Sequence, residues 1–248
     1  MTASTDRTKF TGNVELSGAG YLPGLAIDLV ILGFHHNQLK VLLLEYENTG
    51  LFALPAGFIR EEEDLNAAAQ RALTGRTGLS GIFLEQFYVF GDRSRHDPSP
   101  LQAILKGKDI SPSKDHWLLA RFVSVGFYAL VDFTKAVPNP DALSDRCEWH
   151  DLANLPPLML DHGIIVQKAL DTLRANLDRK LIGFNLLPDT FTMGELQTLH
   201  ETILNQKLNR SSFQRRILSL RILERADKKW TGGAHKAPYL YRFIQGKK

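Results

Sequence analysis

The sequence predicts a mixed α/β (α+β) protein of two domains, an α/β/α sandwich followed by a smaller unit of two helices and a β-hairpin. Three observations predict it. Between residues 22 and 178, apolar runs of strand length alternate with segments whose apolar residues recur at helical spacing. At 248 residues the chain exceeds most single compact domains and can bury a sizeable core without staples. Charge is divided unevenly: from Lys180 onward there are thirteen Lys and Arg against five Asp and Glu, a balance of +8, while the remainder carries −5 of an overall +3. The expected boundaries are a flexible tail over 1–21, a first domain over 22–178 and a second over 179–248.

The elements follow in order. Residues 1–20 are rich in Thr, Ser and Gly and read as an ill-ordered tail. LAIDLVILGF (25–34) and QLKVLLLEY (38–46), separated by HHN, read as a hairpin of buried strands. LFALPAGFI (51–59) leads through a Pro-Gly loop into a helix from about Asp64 to Arg76, and GIFLEQFYVFGD (81–92) reads as a strand. The stretch 93–116, with Pro98, Pro100, Gly107 and Pro112, reads as an insertion or long loop. RFVSVGFYALVDF (121–133) is a long strand and CEWHDLANLP (147–156) a short strand with a turn. DHGIIVQKALDTLRANL (161–177) has helical periodicity, with Asp161 as its N-cap.

GFNLLPDTFTM (183–193) reads as the junction. Thr192, with Glu195 three residues on, is a capping-box start for MGELQTLHETIL, a helix ending near Asn205. NRSSFQRRILSLRIL (209–223) reads as a second helix, opened by Asn209 or Ser211, with Phe213, Ile217, Leu218, Leu220 and Ile222 as its core face. ERADKKWTGGAHKAPYLYRFI (224–244) then supplies a strand, a Gly-Gly turn and a strand. Helix, helix and hairpin are the outline of a winged helix-turn-helix.

Composition is ordinary for a globular protein, 44% apolar and 23% charged. The single cysteine, Cys147, excludes an internal disulfide and reads as a buried or incidental thiol. With neither a signal-peptide pattern nor an apolar run of ~18 residues, the expected location is cytoplasmic, with no membrane partner.

The stretch from Gly57, GFIREEEDLNAAAQRALTGRTGL, resembles the Nudix hydrolase box G-x5-E-x7-R-E-U-x-E-E-x-G-U, with U apolar. Gly57, Glu63, Arg71, Leu73, Gly78 and Leu79 keep the frame. Ala72, Gly75 and Arg76 stand where the box has glutamates. Carboxylates three and four apart share a helix face and aim at one spot, which suits magnesium, a hard cation that takes oxygen ligands. Alanine and glycine offer no such oxygen, and arginine brings positive charge. Glu61, Glu62 and Glu63 precede the helix and read as compensation of its dipole. The resemblance implies that Glu63 and Arg71 pair to pin the loop to the helix, and that strands and helices over about 22–178 form the α/β/α sandwich of a Nudix domain. No catalytic residue, metal or cofactor is assigned.

A recognition helix must offer donors to bases and phosphates. In 209–223, Arg210, Ser211, Ser212, Gln214, Arg215 and Arg216 lie together, and Lys228, Lys229, His235 and Lys236 flank the Gly-Gly turn as a basic wing. Double-stranded DNA is the expected partner; a solvated basic helix on a protein-binding scaffold is the bland alternative.

LLPDTFTMGELQTLHETILNQKLNRSSFQRRIL, followed by APYLYRF, resembles the C-terminal domain of Nudix-related transcriptional regulators, among them the repressors of NAD metabolism and the arabinose-utilisation regulators of Bacteroidetes. FGD (90–92) and LMLDH (158–162) resemble the sugar-sensing branch. The resemblance implies a homodimer on a palindromic operator and a small-molecule effector, sugar or nucleotide, with the loss of three carboxylates favouring a pentose. Asp92, Arg95 and Arg121 read as a polar effector-binding wall, and Trp117, Phe87 and Tyr88 as core. The expected function is a ligand-responsive regulator of carbohydrate utilisation. The rival is a hydrolase of ADP-ribose or another nucleoside diphosphate derivative, dependent on magnesium and on Glu62 or Glu63.

Overall fold

The computed structural model describes residues 18–47, 49–177, 186–228 and 237–244. In chain order the elements are β1 (Tyr21–His35), β2 (Gln38–Tyr46), β3 (Leu51–Ala53), β4 (Ala56–Arg60), α1 (Leu65–Thr77), β5 (Leu84–Phe90), α2 (Ser99–Gly107), β6 (Val123–Val131), β7 (Arg146–Asp151), α3 (His162–Asn176), β8 (Phe191–Thr192), α4 (Met193–Leu204), α5 (Arg210–Ser219), β9 (Leu223–Lys228) and β10 (Tyr239–Phe243).

The β1–β2 hairpin closes on two residues, His36 and Asn37, with φ of 47° and 59°. Two successive positive φ values give the turn whose twist matches that of the flanking strands. The mixed sheet runs β3-β2-β1-β6-β5, with β4 also on β1 and β7 also on β2. β1 lies parallel to β6, in register from Leu25↔Val123 to Gly33↔Val131. On its other edge β1 pairs with β4 near Ile27↔Gly57 and, further along, with β2 from Leu32↔Val41.

Strand alternation gives the sheet two apolar faces. Ile27, Leu29 and Ile31 pack in one core with Ala68, Ala69, Ala72 and Leu73 of α1. Val30 and Leu32 pack in the other with Ile165, Val166, Ala169, Leu170 and Leu173 of α3. The second core continues into the C-terminal unit through Leu196, Leu199 and Ile203 of α4, Phe213 and Ile217 of α5, and Phe191, Tyr241 and Phe243 of the sheet β8-β10-β9. Arg174 Nε donates to the carbonyl of Ile203 at 2.8 Å, and Thr202 Oγ1 to that of Asn37 at 3.2 Å. The helix–helix–hairpin unit therefore docks on the sandwich through a common apolar core. Its α4 starts with the capping box of Thr192 and Glu195, and ends at Asn205 in the left-handed region.

Several expectations are corrected. The stretch 93–116 contains α2, whose Ile104 and Leu105 are buried. Pro98 and Pro100 sit at its start, where a missing N–H costs nothing, rather than breaking it. α5 ends at Ser219, because Arg221 adopts φ 53° and turns the chain into β9. Leu218 and Leu220 are thus 42% exposed, and Ile222 only partly packs against the core. β5 begins at Leu84. Of the expected tail, residues 18–21 are placed and Tyr21 opens β1, while 1–17 lie outside the described residues, as does the junction at 178/179.

Leu173 is fully buried in the common core. Leu173→Ala is expected to cost about 2–5 kcal/mol. Because both units share that core, calorimetry should record one endotherm moved to lower temperature; two separated transitions would contradict the shared core.

Candidate functional site

The box segment is held by local chemistry. Asp64 caps α1 by accepting from Ala67 N at 2.8 Å, and Gly78, at φ 69°, closes it with its N–H on Thr74 O. Glu63 pairs with Arg71 as the resemblance implies, rather than serving the helix dipole: it accepts from Arg60 N at 2.9 Å and from Arg71, whose Nε approaches at 3.1 Å. Arg71 Nη2 also donates to Phe58 O at 2.7 Å, so the pair ties β4 to α1. The bond from Arg71 holds the Glu63 carboxyl below its ordinary value. Gly57 lies so near α1 that a Cβ there would sit 3.3 Å from the Ala72 methyl.

A cavity of about 450 Å³ opens between α1, the 3-10 turn Arg93–Arg95, the aromatic segment at Trp117 and the start of α3. One end is aromatic: Tyr21 stacks on Trp117 with centroids 5.8 Å apart, and Phe58 meets Trp117 at 4.6 Å and Phe122 at 5.3 Å. The floor is a buried polar network. Arg95 donates from Nε to Asp161 at 2.9 Å, from Nη1 to Phe122 O at 2.9 Å and from Nη2 to Asp161 at 3.1 Å and Asp28 at 3.4 Å. Ser124 Oγ donates to Asp28 at 2.5 Å. His162 Nδ1 accepts from Leu54 N at 2.9 Å, which puts the ring proton on Nε2, 3.8 Å from Asp28. Burial lowers the His162 pKa and keeps the ring neutral. The third side carries Tyr46, Arg76 and Asp141.

The box positions bear on metal binding. Ala72 is inside the core with α1, Gly75 is exposed with open space beyond it, and Arg76 is among the residues that line the cavity. Glu61 and Glu62 are exposed. Among the described residues no three His, Cys, Asp or Glu are grouped to hold a metal ion. The donors present therefore do not fit the magnesium site of the family.

Two of the three predicted effector residues meet. Arg95 is buried at the cavity floor and also lines a neighbouring depression that Asp92 borders. Asp92 borders that depression with Tyr88, Leu160 and Ile164, and its carboxylate is committed to Ser94 N at 2.8 Å. Arg121 lines neither hollow; it donates to Gly91 O at 2.5 Å. Asp161 makes no cap bond, since Arg95 takes its carboxylate. Trp117 belongs to the cavity wall, and Tyr88 is 49% exposed rather than core. Asp28, Ser124 and Asp141 went unnoticed in the sequence. Asp28 had a signal, a lone carboxylate inside the apolar run LAIDLVILGF; the other two had none. Cys147 is buried, and burial pushes its thiol up to about 11.

On the C-terminal unit, Asn209 caps α5 by accepting from Ser212 N at 3.0 Å. Phe213 and Ile217, one turn apart, are its buried face. Arg210, Ser211, Ser212 and Arg215 are exposed and Gln214 is half-buried. Arg216 is half-buried beside the Phe213 ring, its guanidinium 5.8 Å from the centroid. Lys228 is exposed at the end of β9; Lys229, His235, Lys236 and the Gly-Gly turn lie outside the described residues. Glu201 braces the turn between the helices, accepting from Leu208 N at 3.0 Å, Gln197 at 2.9 Å and Lys207 at 2.9 Å. Those bonds, the Leu208 amide first, bring its pKa from 4.5 down to about 2.

A sandwich with this box frame and a winged helix on its α3 face defines a Nudix-type sensor fold joined to a DNA-binding module. The NUDIX domain model matches residues 22–169, and the NrtR DNA-binding winged helix domain model matches 183–243. The ADPR responsive transcriptional repressor NtrR of Acinetobacter baylyi is 31% identical over 228 residues, covering 89% of this chain and 82% of that protein. Shewanella oneidensis NrtR, in its crystal structure complexed with a 27mer DNA, is 26% identical with a TM-score of 0.68, covering 89% of this chain and 93% of that one. A MutT/nudix family protein from Enterococcus faecalis shares the fold at 20% identity, with a TM-score of 0.65 over 90% of this chain and 87% of its own. The chain belongs to the Nudix family, in the branch that carries an NrtR winged-helix domain. Among the described residues no helix is long and apolar enough to cross a membrane.

Two outcomes follow from this geometry. Arg95→Met leaves Asp28 and Asp161 without their cation in a buried site, a loss of about 3–5 kcal/mol measurable by urea denaturation. The Glu201 pKa is depressed on folding, so its stabilisation is complete above pH 4.5 and fades as pH falls toward about 2. Glu201→Gln should therefore flatten the acid limb of melting temperature against pH over that window.

Proposed function

We propose that this chain is an effector-responsive, DNA-binding transcriptional regulator that works in the cytoplasm, with the Nudix domain as sensor and the winged helix as reader. The observation that carries the reading is the exposed Arg210, Ser211, Ser212 and Arg215 face on a helix whose buried face shares a core with α3, the helix that begins at the cavity floor. The likeness to an ADPR responsive repressor and to a protein solved on DNA supports it.

Arg215 and Gln214 are the base-reading candidates, since arginine suits guanine and glutamine adenine. Arg210, Ser211, Ser212 and the wing lysines suit phosphates. Arg216, partly withdrawn over Phe213, supports the helix as much as it contacts DNA. Two copies on a palindrome would set their recognition helices about 34 Å apart, or a multiple of that.

The cavity favours a nucleoside diphosphate sugar of the ADP-ribose kind: an aromatic end for a base, an arginine, Arg76, for phosphates, and a volume of about 450 Å³, within the range of sites for drug-sized ligands. The pentose expected from the degenerate box needs only the Asp28, Arg95 and His162 floor and is the competing effector. Hydrolysis is not part of this reading, because Ala72, Gly75 and Arg76 supply no carboxylate. The effector acts on α3: Asp161 at its start is bound to Arg95, and Arg174 near its end is bonded to α4, about 20 Å away along the helix. A ligand that binds one position of α3 better than another shifts the winged helices with it.

Fluorescence anisotropy on the gene's own upstream DNA, at ~0.15 M salt, with and without ADP-ribose and a panel of pentoses, tests the whole reading. Specific binding altered by one ligand is expected. No specific binding under any condition, with magnesium-dependent turnover of ADP-ribose, would establish the hydrolase instead. Replacing Arg215 and Arg216 by alanine should weaken specific binding and reduce the salt slope by about 0.9 for each phosphate no longer neutralised; unchanged affinity overturns the recognition-helix assignment.

A further inference from the structure

We propose that Arg76 stands in for the metal of the Nudix box: its guanidinium binds the phosphate groups of the effector directly, so that a pyrophosphate-bearing ligand enters the cavity without magnesium. This rests on reading the cavity as the effector site. The position is the box's last glutamate, on the cavity side of α1.

The three arginines among the described lining residues differ in how far their donors are used. Arg71 is committed to Glu63 and Phe58 O. Arg95 is committed to Asp161, Phe122 O and Asp28. Among the described residues the Arg76 side chain has only long contacts, Nη1 to Asn139 O at 3.4 Å and Nη2 to Asp141 at 3.6 Å, and its Nε is buried with no hydrogen-bond partner. Asp141 is itself held elsewhere, its other oxygen accepting from Leu143 N at 3.0 Å and Ser144 N at 2.7 Å. Arg76 thus keeps unused donors at a cavity wall.

A helix-dipole role accounts for a cation in the last turn of α1, but that role is served equally well from solvent. The Arg76 side chain is only 17% exposed. A planar guanidinium can meet two phosphate oxygens at once through parallel N–H donors, as a chelated metal ion does through coordination. The same charge repels a divalent metal from the place where the box would gather it. Metal-assisted cleavage and metal-dependent binding are lost together, while anion binding is kept by other means.

The test is titration calorimetry of the full chain with ADP-ribose, in EDTA and in millimolar magnesium, for the wild type, Arg76→Gln and Arg76→Glu. The wild type should show the same dissociation constant in both buffers. Arg76→Gln should weaken binding about ten- to a hundredfold, the loss of hydrogen bonds to a charged group. Arg76→Glu should weaken it further in EDTA and regain affinity when magnesium is added. Melting curves of the unliganded variants establish that they fold; should neither fold, the wild-type comparison in the two buffers still decides. Wild-type binding abolished by chelation, or an unaltered constant in Arg76→Gln, overturns the proposal. If ADP-ribose does not bind while a pentose alters DNA affinity, this inference falls and the regulator stands. If ADP-ribose binds through Arg76 but no ligand alters DNA affinity, the regulator's effector reading falls alone.

Discussion

β1 runs through the middle of the sheet, and its side chains alternate between two cores that have different owners. Ile27, Leu29 and Ile31 face α1 and the box; Val30 and Leu32 face α3 and, beyond it, the winged helix. Asp28 interrupts this series at the cavity floor, buried and held by Ser124 and Arg95. A buried carboxylate is tolerated only with such partners, so the position of Arg95, and through it of Asp161 and the start of α3, is fixed by one residue of the central strand. The cavity and the core that carries the winged-helix unit are therefore two consequences of one strand.

That arrangement gives the second domain its mechanical meaning. A winged helix on a free linker would report nothing about the cavity. Here Phe213, Ile217, Leu199 and Phe243 complete the same apolar cluster as Leu173 and Val30, and polar contacts join α3 and the β1–β2 turn to α4. Packed cores move between discrete arrangements rather than deforming smoothly. α3 thus physically joins the Arg95–Asp161 contact to the unit that bears the arginine face.

The box segment keeps the residues that hold the fold. Glu63, Arg71, Gly57 and Gly78 do structural work, tying β4 to α1, allowing close approach and closing the helix. Ala72 fills core volume, and Gly75 is exposed. The positions that hold the fold are intact, while Ala72, Gly75 and Arg76 stand where the box has glutamates.

Much of the architecture was legible because it rests on local periodicity and local chemistry. The strands 25–34 and 38–46, the helix after Asp64, α3 and the capping box at Thr192 all announce themselves through alternation, helical spacing or a side chain that bonds its own backbone. The box frame and the basic helix, by residue type and spacing alone, marked the two surfaces of interest. What depended on contacts distant in sequence was not legible. α2 was masked by prolines that begin it, and the end of α5 was set by a backbone reversal at Arg221 that no periodicity signals. Asp161 looked like a cap because its partner, Arg95, is sixty-six residues away. Asp92 shares a hollow with Arg95, while Arg121 is bonded to the Gly91 carbonyl and lines neither hollow. The sequence by itself determined most of the elements, the family and the residue types at the box positions; only the tertiary structure decided which charges meet in the cavity and that both domains share one core, because those facts depend on which distant segments the sheet brings side by side.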